Sequence, residues 1–198
     1  YIARIPDVGT TALGAVGLCF PIIVIITAFS NLFGGGGAPL FSISRGKGDT
    51  DTATQIMNTS FTLVCGGALI LMTAGLLFAR PVLVLFGASA EALPYAYPYL
   101  MIYLLGTLPS MIATGMNPFI NAQGYSTTGM LSVAIGAIAN FILDPLFIFA
   151  FHLGIKGAAI ATVLSQLLSA AFVLYFLRRK AEIKVRLLHH SELSGCVE

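Results

Sequence analysis

Charge is what this sequence has least of. Only 9% of its 198 residues are Asp, Glu, Lys or Arg, against roughly 25% in an ordinary soluble domain. The net charge of +2 comes without a basic stripe interleaved with exposed aromatics, so nucleic acid is set aside as a partner. The three cysteines, Cys19, Cys65 and Cys196, lack the short pair spacing that metal or redox work needs. His189 and His190 stand in a polar, patternless tail over 189–198 and read as solvated residues rather than metal ligands. Enzyme signatures are missing as well: there is no HExxH, no GxSxG, and no glycine loop followed by Lys and Ser or Thr. The four glycines at 34–37 therefore read as a flexible span end, not a phosphate cradle. The opening Tyr1-Ile2-Ala3-Arg4-Ile5-Pro6-Asp7 has neither an initiator Met nor the basic stretch of a signal peptide. It reads as a piece of a longer chain, with at least one helix ahead of it.

What is present in excess is apolar surface. Hydrophobic residues make up 57% of the chain and the mean hydropathy is +0.92. Apolar stretches fall at about 11–33, 52–78, 93–117, 127–151 and 155–177. Each is long enough to cross a hydrocarbon core of roughly 30 Å as a helix, so the fold class is all-α, a polytopic helical bundle in a lipid bilayer. Glycine, proline and charge punctuate the connections, at 34–37, at Arg45-Gly46-Lys47-Gly48-Asp49 and at Arg80-Pro81. If the end after the last stretch is cytoplasmic, seven Lys and Arg lie inside, among them Arg45, Lys47 and Arg178, against Arg4, Arg80 and Lys156 outside. That places residues 1–180 in a transmembrane bundle and 181–198 in a cytoplasmic linker or tail.

Of the eight acidic residues, only Asp144 falls within a span. A carboxylate at membrane depth is costly unless it faces a wet cavity, a partner or an ion, so it is a functional candidate by default. The plainer alternative is a structural Asp near the outer interface. Ser132, Gly136, Asn140 and Asp144 recur every four residues and share one helix face. Pro145 follows directly, and a proline there withdraws a backbone hydrogen bond and bends the helix beside the carboxylate. Carboxylate, amide and carbonyl oxygens are ligands that sodium accepts in a broken helix; the same stripe of small residues would equally serve a tight helix contact. On the last span Thr162, Ser165, Gln166 and Ser169 share a face. Ser165 and Ser169 read better as interhelical glue, whereas Gln166 suits either a cavity or a contact. The third span holds Pro94, Pro98 and Pro109, which predict bending. It also holds Tyr99 and Tyr103, which suit an interfacial belt or, secondarily, a stacking surface for aromatic compounds. Pro21 predicts a kink in the first span, and His152 reads as an interface residue.

Several segments resemble a known family. Asn140-Phe-Ile-Leu-Asp144-Pro-Leu-Phe-Ile-Phe149 and Gly154-Ile-Lys-Gly-Ala-Ala-Ile-Ala-Thr162-Val-Leu-Ser-Gln166 resemble the fifth and sixth helices of the multidrug and toxic compound extrusion family. Asn117-Pro-Phe-Ile-Asn-Ala-Gln-Gly124 and Ser44-Arg-Gly-Lys-Gly-Asp49 look like two of its loops, in the right order. The resemblance implies helices two to six of the N-terminal lobe of a twelve-helix, two-lobe antiporter in the bacterial inner membrane. Such a protein exports small organic cations against sodium or protons and has no other cofactor. It further implies that Asp144 and Asn140 form the cation site, with sodium as the one metal ion to consider, that Thr162 is its hydroxyl partner, and that Asn117 is a polar cavity residue. The chain departs from the family pattern in lacking the first helix, where a second acidic residue often stands, and the C-terminal lobe. Two other readings stay open: a flippase for lipid-linked oligosaccharides, which would need basic residues along its cavity, and a non-transporting membrane scaffold.

Overall fold

With lipid as the solvent, every backbone N–H and C=O must be satisfied within its own segment, and these apolar stretches do so as helices. A computed structural model describes residues 9–185, and every regular element among them is helical. The first span is α1 (Gly9–Ser30), a π turn (Asn31–Gly35) and α2 (Gly36–Gly46) in unbroken succession. There follow α3 (Thr50–Leu85), α4 (Leu93–Leu105), α5 (Thr107–Ala122) and α6 (Ser126–Pro145). A second π turn (Leu146–Ala150) and α7 (Gly154–Arg179) complete the order. Four helices are long and apolar enough to cross a bilayer, and α4 with α5, bent by 55° at their junction, have together the length and apolar character of a fifth, broken span.

Four of the expected stretches are single membrane-length helical runs and the stretch at 93–117 falls on the bent pair, but two boundaries differ. Residues 34–37 do not end the first span; helix continues through them to Gly46, and the connection is the tight turn at Lys47 and Gly48. Arg80 and Pro81 lie inside α3, which runs to Leu85; at 36 residues it is about 54 Å long, more than a hydrocarbon core requires. The third span breaks at Gly106, two residues ahead of the Leu108-Pro109 pair, in keeping with the bending expected there. Pro109 costs little at that place, because the first turn of a helix has no N–H bonds to lose. By contrast α1 stays helical through Pro21. The irregularity comes later, where Gly36 N–H reaches back to Asn31 C=O and Pro39 withholds its own N–H from Gly35. The second π turn instead comes directly after its proline, Pro145, with Phe151 N–H reaching back to Leu146 C=O.

Helix α7 is the hub, packed on α4, α5 and α6. Its buried face is built of Gly157, Ala158, Ala159, Ala161, Ser165, Ser169 and Ala170, small residues that let backbones approach closely where there is no water to drive association. Around it Phe41, Met57, Leu100, Met111, Phe119 and Leu177 fill the core. Large apolar side chains such as Ile70, Leu77, Ile138 and Phe141 point outward, as a lipid-facing surface should. Arg45, Lys47, Arg178, Arg179, Lys180 and Lys184 gather at one end of the bundle, hereafter the basic end, while Arg80 and Lys156 stand at the other. Cys196, His189 and His190 lie outside the described residues. Of the expected tail, residues 181–185 are described, and they pack onto the bundle.

Candidate functional site

The site is assembled by three helices that each turn a polar stripe toward the others. On α6 the four-residue spacing does align Ser132, Gly136, Asn140 and Asp144, and α7 is what they meet. Gly136 lies against Ser169, and Ser169 Oγ donates to the Ser132 carbonyl at 2.9 Å. Asn140 Nδ2 is shared between Asp144 Oδ1 and Thr162 Oγ1, at 3.4 Å each, and Thr162 donates to Ala158 C=O within its own helix at 2.9 Å. Asp144, Asn140 and Thr162 thus form one connected group across the α6–α7 contact. Asp144 is half-buried rather than fully enclosed.

From α5, Asn117 Nδ2 donates to Ser132 Oγ at 2.6 Å and to Gly129 C=O at 2.9 Å, and Asn121 donates to Asn117 Oδ1 at 3.1 Å. Both donors of Asn117 are therefore spent on pinning α5 to α6. Between the three helices lies a cavity of about 560 Å³ whose wall includes Asn117, Asn140, Thr162, Gln166, Asn31 and Thr114. Ser165 and Ser169 reach the same wall. They combine lining with structural bonding, Ser165 to Ala161 C=O in its own turn. Among the described residues no Lys, Arg, Asp or Glu belongs to that wall. Asp144 stands just behind it, joined through Asn140.

Two residues expected in the cavity are elsewhere. Tyr99 and Tyr103 are 6% and 8% exposed, stacked on each other with centroids 6.3 Å apart, and absent from the cavity wall. The 55° break turns α5, not α4, along the cavity, so the α4 tyrosines pack into the core instead. Conversely, the sequence reading passed over Asn31 and Thr114. Thr114 Oγ1 pairs with Ser30 Oγ at 2.6 Å, and Ser30 lies 0% exposed beside the π turn that carries Asn31. The polar pair Ser30-Asn31 inside an apolar stretch is the sequence signal for it, since the helix runs on through 34–37 and leaves the pair well inside the span.

No three His, Cys, Asp or Glu side chains cluster as metal ligands among the described residues. Asn140 faces Asp144 and Thr162 with its Nδ2; were the amide turned to present its oxygen, the three side chains would offer hard donors of the sort sodium takes, with water or carbonyls completing the shell.

The MatE family model matches residues 2–146. The chain is 31% identical over 180 residues to the multidrug export protein MepA of Staphylococcus haemolyticus, covering 89% of this chain and 39% of that protein. It is 29% identical over 177 residues to a FAD transporter of Shewanella oneidensis, covering 87% and 39%. Among solved structures, a MATE protein in its bent conformation aligns with a TM-score of 0.88 at 26% identity, over 96% of this chain and 44% of that one. An inward-facing multidrug resistance MATE family transporter aligns at 0.84 and 26%, over 93% and 43%. The chain spans about two fifths of the length of these relatives.

Proposed function

Because the chain belongs to the MatE family, whose model covers most of it, we propose that it is the greater part of one lobe of a secondary antiporter that exports small organic cations in exchange for sodium or protons. The observation that carries this reading is the connected group Asp144–Asn140–Thr162, of which Asn140 and Thr162 line the cavity between α5, α6 and α7. Among the described residues Asp144 is the one acidic side chain deep within a span, and a carboxylate there can bind and release a cation where neutral neighbours cannot. Asn140 touches both the carboxylate and the cavity wall, so occupancy of Asp144 changes what the cavity offers: with the carboxylate engaged elsewhere, the amide loses an acceptor and is released toward Thr162 or a substrate. Asn117, Gln166, Asn31 and Thr114 supply hydrogen-bonding positions for the cargo, with the basic end cytoplasmic by the distribution of Lys and Arg.

A flippase for a pyrophosphate-linked lipid is less well supported, since among the described residues no basic side chain lines the wall. The same chemistry argues against an anionic dinucleotide as cargo of this lobe.

The test is Asp144→Asn in the full-length protein reconstituted into vesicles. Efflux of a fluorescent organic cation, driven in separate arms by an imposed sodium or proton gradient, should fall to the level of empty vesicles, with protein in the membrane unchanged or increased. Neutralising the carboxylate removes the cation-binding group while making insertion easier. Full gradient-driven efflux by the variant would make Asp144 structural and defeat this reading.

A further inference from the structure

The segment that follows α7 leaves the bundle in name only. After Lys180 the chain is no longer helical, yet Ala181, Ile183 and Val185 are 3%, 6% and 3% exposed, while Glu182 and Lys184 between them face outward. That alternation marks a short strap, bent at 181–183, with one face seated on a surface. The surface is the basic end of the bundle, and the fit is made by Gln123, the residue that caps α5 and is itself 3% exposed. Its side-chain amide treats the strap as a strand would: Oε1 accepts from Ile183 N–H at 3.0 Å and Nε2 donates to Ile183 C=O at 3.3 Å. Beneath the amide lies Met57 of α3, its sulfur 3.9 Å from Nε2. Val185 N–H closes back onto Leu177 C=O of α7 at 3.1 Å.

A second tie comes from the last turn of α2. Arg45 donates to the Ala122 carbonyl at the end of α5 at 3.1 Å and to Glu182 of the strap at 2.6 Å. With side chains 33% and 61% exposed, this ion pair is a minor term; the paired bonds of the buried amide matter more, because breaking one leaves polar groups stranded away from water. Four helix ends, those of α2, α3, α5 and α7, thus converge on five residues that belong to no helix.

We propose that residues 181–185 are a latch. Docked through Gln123 and Arg45, the strap ties the basic ends of α2, α3, α5 and α7 together, so that movement of the chain beyond it and rearrangement of this lobe pull on one another. The part of the idea that concerns transport rests on the antiporter reading above; the docking itself does not.

Hydrogen–deuterium exchange on the full-length protein, read in peptides covering 181–185, tests the docking. The amides of Ile183 and Val185 should be protected in the parent, and Gln123→Leu should speed exchange there by about tenfold, the scale of one to two buried hydrogen bonds, while the interiors of α3 and α7 stay protected. Should Gln123→Leu not accumulate, Ile183→Pro, at a site outside every helix, removes the N–H that Oε1 accepts together with the seated Ile side chain, and the Val185 amide is then the one read. In vesicles the same variant should export an organic cation several-fold more slowly at equal protein content. Unprotected amides in the parent, or exchange unmoved by both substitutions, would overturn the latch. So would undocking that leaves efflux at the parent rate. Loss of all efflux from the parent would count against the antiporter reading and leave the exchange result to decide the docking.

Discussion

The four glycines at 34–37 should fall into two classes that sequence does not distinguish. A Cβ placed on Gly34 would overlap the carbonyl of Gly115, a backbone atom of α5 that cannot rotate aside. On Gly37 it would overlap Ser60 Oγ and come to 3.0 Å from the Phe119 ring, contacts that a side chain can partly relieve. At Gly35 and Gly36 it would meet nothing within 4 Å, and their backbones at φ −67° and −71° suit any residue. Overpacking a close contact costs about 1–3 kcal/mol, and an immovable backbone puts Gly34→Ala at the upper end. The intrinsic helix preference of Ala over Gly returns about 0.5–1 kcal/mol. The net expectation is a loss of about 1–2 kcal/mol for Gly34→Ala and a smaller loss for Gly37→Ala. Gly35→Ala and Gly36→Ala should be neutral or gain up to about 1 kcal/mol. Thermal unfolding of the purified full-length variants in one detergent would rank them. Because Gly115 is two residues from Asn117, which pins α5 to α6, Gly34→Ala should also slow efflux. If Gly35→Ala proves as damaging as Gly34→Ala, the run is a flexible element after all and the close α5 crossing is the wrong explanation for it.

His152 sits at φ 53° in the turn before α7, a left-handed conformation costing an L-residue about 1–2 kcal/mol. His152→Gly should be neutral or slightly stabilising and His152→Val should lower the unfolding temperature; equal behaviour of the two would refute the strain. Asp49 caps α3, accepting from Thr52 N–H at 3.0 Å. Hydrogen bonds from the Thr52 hydroxyl and backbone hold its carboxyl below the ordinary value of 3.8. A depressed folded-state value means that its stabilising effect is fully present above pH 3.8 and is lost as pH falls below that through the folded value. Unfolding midpoints measured from pH 6 downward should therefore drop more steeply for the parent than for Asp49→Asn, which keeps an acceptor that does not titrate. Parallel curves would show that the cap does not matter.

The sequence alone determined that this is a bundle of membrane-crossing helices and that one carboxylate within them needs a reason to be there. Lipid offers the backbone no hydrogen bonds and charges no solvation, so spans must be long and apolar, and exceptions such as Asp144 stand out. The alignment of Asn140 with Asp144 was equally legible, because four residues make roughly one helical turn whatever lies opposite. Which residues share a cavity was a different matter. The break at Gly106 took Tyr99 and Tyr103 out of the wall, and the π turn at 31–35 brought Asn31 into it. A buried glutamine turned five residues of expected linker into part of the bundle. Those outcomes depend on helix direction and on what packs across from each side chain, long-range facts that no local period encodes. The tertiary structure alone decided them.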